Sequence, residues 1–220
     1  MKFNFKIEQA LKNIVKTGII QFNEITVAKQ NKELSDEIFS YCSNLRATYP
    51  STESLKENLQ VTRNLYKALG LDPTKNRPSS EALIRRVIKG KSLYQVNSVV
   101  DICNLSSIHF LLSIGLYDVE KIVGENIELR IGKEGEGYAG IGKEYVNVSG
   151  RFTLADKIGP FGNPSADSDR TKISLKTNNV MFVVFAPVEY KDDKLKEHLD
   201  FIESKIKQYH DCKTVYNLIA

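Results

Sequence analysis

Apolar and polar positions change period several times along this chain, and each change predicts an element. Gly18 to Ala28 is rich in β-branched and aromatic residues and predicts a strand. From Lys32 to Arg46, Leu34, Ile38, Phe39, Cys42 and Leu45 recur at helical spacing, and Pro50 ends the stretch. A second helix is expected from Thr52 to Leu69. Gly70 tolerates the left-handed backbone at its end, and Pro73 cannot continue it. Pro78-Ser79-Ser80-Glu81 opens a third helix through Ile88, closed by Gly90. Residues 98–114 are apolar nearly all round and predict a buried helix, with Ser98 and Asp101 as a capping pattern at its start. Strand-like segments follow near 127–131, 144–148 and 151–155. A further pair, 171–176 and 180–186, would turn at Thr177-Asn178-Asn179. Residues 192–210 carry Leu195, Leu199, Ile202, Ile206 and Tyr209 on one face, the pattern of a helix packed on a sheet. Helices first, then a strand-rich middle, then a covering helix predict an α+β fold, a mixed or antiparallel sheet covered by helices. No repeat or low-complexity linker divides the chain, so one domain over residues 1–220 is expected.

Composition narrows this picture mainly by exclusion. A chain of 220 residues, 41% hydrophobic, can bury a full core without a disulfide or metal staple. Cys42, Cys103 and Cys212 lie far apart with no Cys-x-x-Cys, which fits a reducing compartment. His109, His198 and His210 form no His-Glu-x-x-His motif, so no metal and no cofactor is expected. The first residues hold no apolar leader core, and no run approaches the ~20 apolar residues of a membrane span. The expectation is a soluble, cytoplasmic protein with no membrane partner. Net charge is only +4, but it is unevenly spread. Residues 63–91 hold eight basic side chains, Arg77, Arg85, Arg86, Lys89 and Lys91 among them, against Asp72 and Glu81. Such a patch could hold phosphates, or it could be a solvated helical surface.

Three features bear on chemistry. Eight of the 13 glycines lie between Gly132 and Gly162. They match no dinucleotide fingerprint, since strands rather than a helix follow. Gly90-Lys91-Ser92 lacks the earlier glycine of a P-loop, where Arg85 stands instead. Residues 159–171 combine two prolines, two glycines and Phe161 with Asn163, Ser165, Asp167, Ser168 and Arg170. The combination predicts a stiff loop rich in donors and acceptors, and such loops carry function disproportionately. In the buried helix, Asn97, Asp101, Asn104 and Ser107 fall along one stripe. A buried amide without a partner costs on the order of 1–3 kcal/mol, so Asn104 must meet either backbone or a ligand. No Gly-x-Ser-x-Gly and no cysteine–histidine pairing is evident, so hydrolysis would rely on an oriented water.

At these residues the chain resembles the B3/B4 domain of the phenylalanyl-tRNA synthetase beta chain. The resemblance rests on Asn97-Ser98-Val99-Val100-Asp101-Ile102-Cys103-Asn104, then Gly115-Leu116-Tyr117-Asp118, then Gly135-Glu136. It covers roughly residues 40–210, and the loop from Gly159 to Ser168 looks more like the freestanding members. In the synthetase this domain hydrolyses tyrosine wrongly attached to the phenylalanine tRNA. The resemblance implies a B3/B4-like fold and an aminoacyl-tRNA partner. It matches Asn104 to an asparagine of the editing pocket and Cys103 to a pocket threonine. The family's pocket histidine falls on Gly115, and the acid nearest its pocket glutamate is Asp167. A shorter acid and a missing imidazole imply a differently shaped pocket.

Two functional expectations follow. The first is a deacylase acting in trans on mischarged tRNA. Asn104, Ser165, Asp167 and Ser168 would orient the aminoacyl group and a water. Cys103, Glu136, Tyr138, Phe161, Gly162 and Asn163 would form the surrounding substrate site, and the basic stretch would hold RNA. The second is a non-catalytic binder of RNA or a free amino acid, favoured by Gly115. A piece of a synthetase is disfavoured, since the length leaves no room for a class II catalytic core.

Overall fold

The computed structural model describes residues 2–220; Met1 lies outside the described residues. Two strands open the chain, β1 (Asn4–Ile7) and β2 (Val15–Asn23). Four helices follow: α1 (Lys32–Thr48), α2 (Gln60–Ala68), α3 (Ser79–Ile88) and α4 (Ser98–Phe110). Next come β3 (Ile114–Asp118), β4 (Asn126–Ile131), β5 (Gly137–Gly140), β6 (Lys143–Asn147) and β7 (Phe152–Asp156). The chain ends with β8 (Gly159–Asn163), β9 (Ala166–Asp167), β10 (Val180–Pro187), α5 (Asp192–Tyr209) and β11 (Lys213–Ile219).

The centre is an antiparallel sheet in the order β11-β2-β10-β3. β10 is buried along its whole length, and its side chains alternate between two cores. Val180, Phe182, Val184 and Ala186 pack under α1, α3, α4 and α5. Met181, Val183 and Phe185 face Ile127, Leu129, Phe152 and Leu154 of a second sheet. That second sheet runs β1-β4-β7-β8-β9, with β1 parallel to β4 and the other pairs antiparallel. A small β5–β6 pair sits beside it. The result is an α+β architecture of helices, sheet and sheet.

Several expectations are corrected. The strand expected at 18–28 lies at Val15–Asn23. Glu24, at φ +60°, turns the chain out of the sheet, while Ile25 and Val27 stay buried beyond it. The second helix begins only at Gln60, since 51–59 form turns. The helix expected to reach 114 stops at Phe110, because Leu111 takes the left-handed conformation at φ +57°. The Leu111 carbonyl then accepts from the hydroxyls of Thr62 and Ser80, and β3 begins at Ile114. No strand forms at 171–176: both edges of β10 are already taken by β2 and β3. Instead the Thr177 hydroxyl donates to Asp118 Oδ2 at 2.7 Å and anchors a turn. The stiff loop at 159–171 contains β8 and β9. Pro160, which has no N–H to donate, pairs with Ala155 next to an irregularity in the β7–β8 register.

Candidate functional site

Two segments far apart in sequence face each other across a cavity of about 500 Å³. One wall is the polar stripe of α4 and its neighbours: Val100, Cys103, Asn104 and Ser107, with Ile114 and Leu116 of β3. The opposite wall is the β8–β9 turn, Asn163 to Asp167. Ser79 and Leu83 of α3, Val96, Ile141, Lys172 and Ile173 complete the lining.

Capping sets the position of the α4 wall. Asn97, not Ser98, is the N-cap, its side chain accepting from Val100 N at 3.0 Å. Asp101 accepts from Val96 N at 2.9 Å, and Ser98 Oγ accepts from Ala28 N at 3.0 Å, tying the helix start to the segment that follows β2. Burial pushes the Asp101 carboxyl up, opposed by backbone N–H groups that favour the charged form. At the other end of the stripe, Ser107 donates to Leu112 O at 2.8 Å. Between them the Asn104 amide has no hydrogen-bond partner among the described residues, and it lines the cavity. The stripe therefore divides: its ends satisfy backbone and its middle faces open space.

Three tyrosine hydroxyls hold the opposite wall. Tyr66 of α2 meets Ser165 Oγ at 3.2 Å, and Tyr138 of β5 donates to Ala166 O at 2.6 Å. Tyr117 of β3 donates to Asp167 Oδ1 at 2.8 Å. The turn also closes on itself, since Asn163 Oδ1 accepts from Ser165 N at 2.8 Å and Ala166 N at 3.0 Å. Sequence reasoning does not find Tyr66 or Tyr117 as site residues. For Tyr117 a signal exists, since it stands in the motif from Gly115 to Asp118 that carries the resemblance.

Asp167 is the chemically distinctive group. Removal from water pushes its carboxyl up from 3.8 to about 7, against hydrogen bonds from the Tyr117 hydroxyl and the Leu116 backbone that favour the charged form. A carboxyl poised near neutrality is of the kind that general acid or base chemistry uses. Burial drives the Cys103 thiol far above its usual range, so it offers no thiolate nucleophile. Burial likewise raises Tyr66, to about 12, and keeps Tyr117 and Tyr138 protonated as donors.

Other sequence-selected residues lie outside the lining. Phe161 is fully buried and packs edge-on against Tyr117, ring centres 5.0 Å apart. Gly162 and Gly115 flank the same tyrosine. A Cβ on Gly162 would stand 2.3 Å from the Tyr117 hydroxyl oxygen, and one on Gly115 would stand 2.1 Å from it. No imidazole fits at position 115 while Tyr117 occupies that space. Ser168 is sealed beneath the turn, its Oγ accepting from Arg170 N at 3.1 Å. Glu136 is clamped by Arg130 through hydrogen bonds of 2.7 and 2.8 Å, which hold its carboxyl down at about 2, away from the cavity.

The basic stretch proves to be organised around an acid. Glu81, 1% exposed, receives Arg63 through hydrogen bonds of 2.6 and 2.7 Å and Arg85 at 2.7 Å. Arg77 approaches it only to 3.9 Å and stays half exposed. Arg86 donates to Ser92 O at 2.6 Å and lies over the Tyr94 ring, while Lys89 and Lys91 are exposed past the end of α3. Among the described residues no cluster of three or more His, Cys, Asp or Glu side chains could hold a metal ion, and no helix is long and apolar enough to cross a membrane.

No curated protein matches the chain. Among solved structures, an N-terminal fragment of the phenylalanyl-tRNA synthetase beta-subunit from Pyrococcus horikoshii is similar at 15% identity and a TM-score of 0.47. The match covers 100% of this chain and 55% of that one, so this chain spans just over half its length. The B3/4 domain family matches residues 61–201, well over half of the chain, and the protein belongs to that family.

Proposed function

We propose that the protein is a cytoplasmic deacylase acting in trans on mischarged tRNA, its 220 residues working as one domain. The observation that carries this reading is the pairing, across one cavity, of an unpartnered Asn104 amide with an Asp167 carboxyl that titrates at about 7. In the reaction, water attacks the ester carbonyl and gives its proton to the Asp167 carboxylate. The Asn104 amide donates to the oxyanion that forms, and donors aimed at developing charge are among the largest catalytic contributions. Collapse of the tetrahedral intermediate breaks the ester, and the departing ribose oxygen takes the proton back. The products are free amino acid and uncharged tRNA. Tyr117 orients Asp167, and Ser165 contributes a polar edge that selects the amino-acid side chain by hydrogen bonding.

The test is release of labelled amino acid from a panel of mischarged tRNAs by the full chain. Release from at least one of them, abolished in Asp167→Asn, is expected; release no faster than buffer for every one overturns the reading. A second reading, a non-catalytic binder of RNA or amino acid, is favoured by the exclusion of any side chain at Gly115. Calorimetry on the same chain distinguishes it, since a binder retains its ligand and releases nothing.

A further inference from the structure

The excess of positive charge in residues 63–91 is split by folding. Arg63 and Arg85 are consumed by Glu81. Lys75 and Arg77, from the α2–α3 connection, instead lie around one cleft with Lys143 of β6 and Arg151, just before β7. The four line a narrow cleft of about 170 Å³. Asn163, Ser165 and Ala166 line this cleft and the larger cavity alike, so the β8–β9 turn is the common wall of the two.

Little neutralises the cleft. Among the described residues no carboxylate lies within ion-pair distance of Lys75, Lys143 or Arg151. The Asp72 carboxylate accepts from the N–H and hydroxyl of Thr74 at 2.8 and 2.7 Å and attracts Lys75 from beyond ion-pair distance, so it offsets only part of one of the four charges. Arg77 has only the distant Glu81, already held by two other guanidiniums. Arg151 reaches across the cleft to Asn76 Oδ1 at 3.4 Å, a long hydrogen bond to a neutral acceptor that leaves its charge unpaired. Four like charges gathered in a concave site repel one another, and an anion relieves that repulsion. Two of them are guanidiniums, whose planar fork suits phosphate oxygens.

We propose that the cleft of Lys75, Arg77, Lys143 and Arg151 is a phosphate-binding subsite that holds the backbone of a single-stranded RNA end. This inference rests on the deacylase reading for what enters the neighbouring cavity, the terminal residue of that RNA. The turn from Asn163 to Ala166 would then be read from both sides, by the phosphate and by the terminal residue.

The experiment is anisotropy titration of a labelled single-stranded RNA ending in CCA, across a salt series. The wild type is compared with Lys143→Glu/Arg151→Glu and with Lys29→Glu/Lys196→Glu, which carries the same charge change on exposed lysines away from the cleft and from residues 63–91. Circular dichroism confirms folding, and the milder Lys75→Ala serves if a double variant unfolds. The cleft variant should bind at least tenfold more weakly, and its log–log salt slope should flatten by about 0.7 for each phosphate it no longer neutralises. The control should stay within twofold. Equal weakening in both double variants, or none in either, overturns the inference, as does displacement of the RNA by inorganic phosphate at RNA-like concentrations. If the cleft variant fails to bind RNA but wild type deacylates nothing, the deacylase reading fails and the subsite stands. If wild type deacylates and the cleft variant matches it, the subsite fails and the reading stands.

Discussion

Glu81 is sealed from solvent and Asp167 is half-buried at the cavity wall, and their surroundings send these two carboxylates in opposite directions. Glu81 sits between α2 and α3, where burial raises its pKa but Arg63 and Arg85 more than reverse the effect and hold it below the usual range. Asp167, on β9, has only the neutral Tyr117 hydroxyl and a backbone N–H, so burial wins and the carboxyl rises to about 7. Equal chemistry thus gives a buried ion pair in one place and, in the deacylase reading proposed above, a proton acceptor in the other. The partner decides, because a guanidinium compensates a buried charge while a phenol only solvates it.

The strongest way to break this contrast is Glu81→Gln. Two partly buried guanidiniums would lose their counter-charge, and stability should fall by about 3 kcal/mol in urea denaturation. A loss under about 1 kcal/mol would show that the cluster does not act as a buried pair. The wild-type contribution has a defined sign: the folded pKa of Glu81 lies below its usual 4.5, so the stability is present above that value and lost as pH falls through the folded pKa.

Gly115→Ala tests the tyrosine that sets Asp167. Its Cβ cannot share space with the Tyr117 hydroxyl, so the ring must shift, and a cost of about 2 kcal/mol is expected, as for an overpacked core. Partial recovery by adding Tyr117→Leu would locate the clash, and an unchanged melting temperature in Gly115→Ala would refute it.

Asp167→Asn should move stability the other way. The folded state holds a proton that the unfolded chain releases between 3.8 and about 7, so the wild type weakens as pH rises through that window and stays weaker above it. The variant should be more stable by about 2 kcal/mol at pH ~8 and nearly equal to wild type at pH ~4. A difference independent of pH would mean that Asp167 is not the protonated group.

The smallest effect is expected from Tyr117→Phe. It removes the hydrogen bond that favours the carboxylate, a contribution of about 1.5–3 kcal/mol for a charged acceptor, partly made up by water entering from the cavity. The pH–rate profile of deacylation should therefore move upward by about one pH unit, with modest change at the plateau. A downward shift would contradict the role assigned to the hydroxyl.

Local pattern is enough for the elements whose partners lie along their own length. The apolar stripes of α1, α3 and α5 are readable because a helix repeats its buried face every three or four residues. β10 is readable as a continuous apolar run, though not the fact that its odd and even residues serve different cores. β1, β5 and β11 carry no comparable signal, because they are edge or paired strands with mixed exposure and few core residues. In the candidate site, Asn104 and Asp167 are legible as polar residues in apolar or stiff surroundings.

The sequence by itself determined the α+β order of elements, the capped polar stripe on α4, the family, and an excess of positive charge in residues 63–91. Only the tertiary structure decided which charges are free and what faces Asn104. Three tyrosines from α2, β3 and β5 converge on residues 165–167, and Lys75 and Arg77 join Lys143 and Arg151 across the chain. The reason is physical: periodicity records which face of one element is buried, whereas a site depends on distances between elements that sheet pairing and helix packing set together.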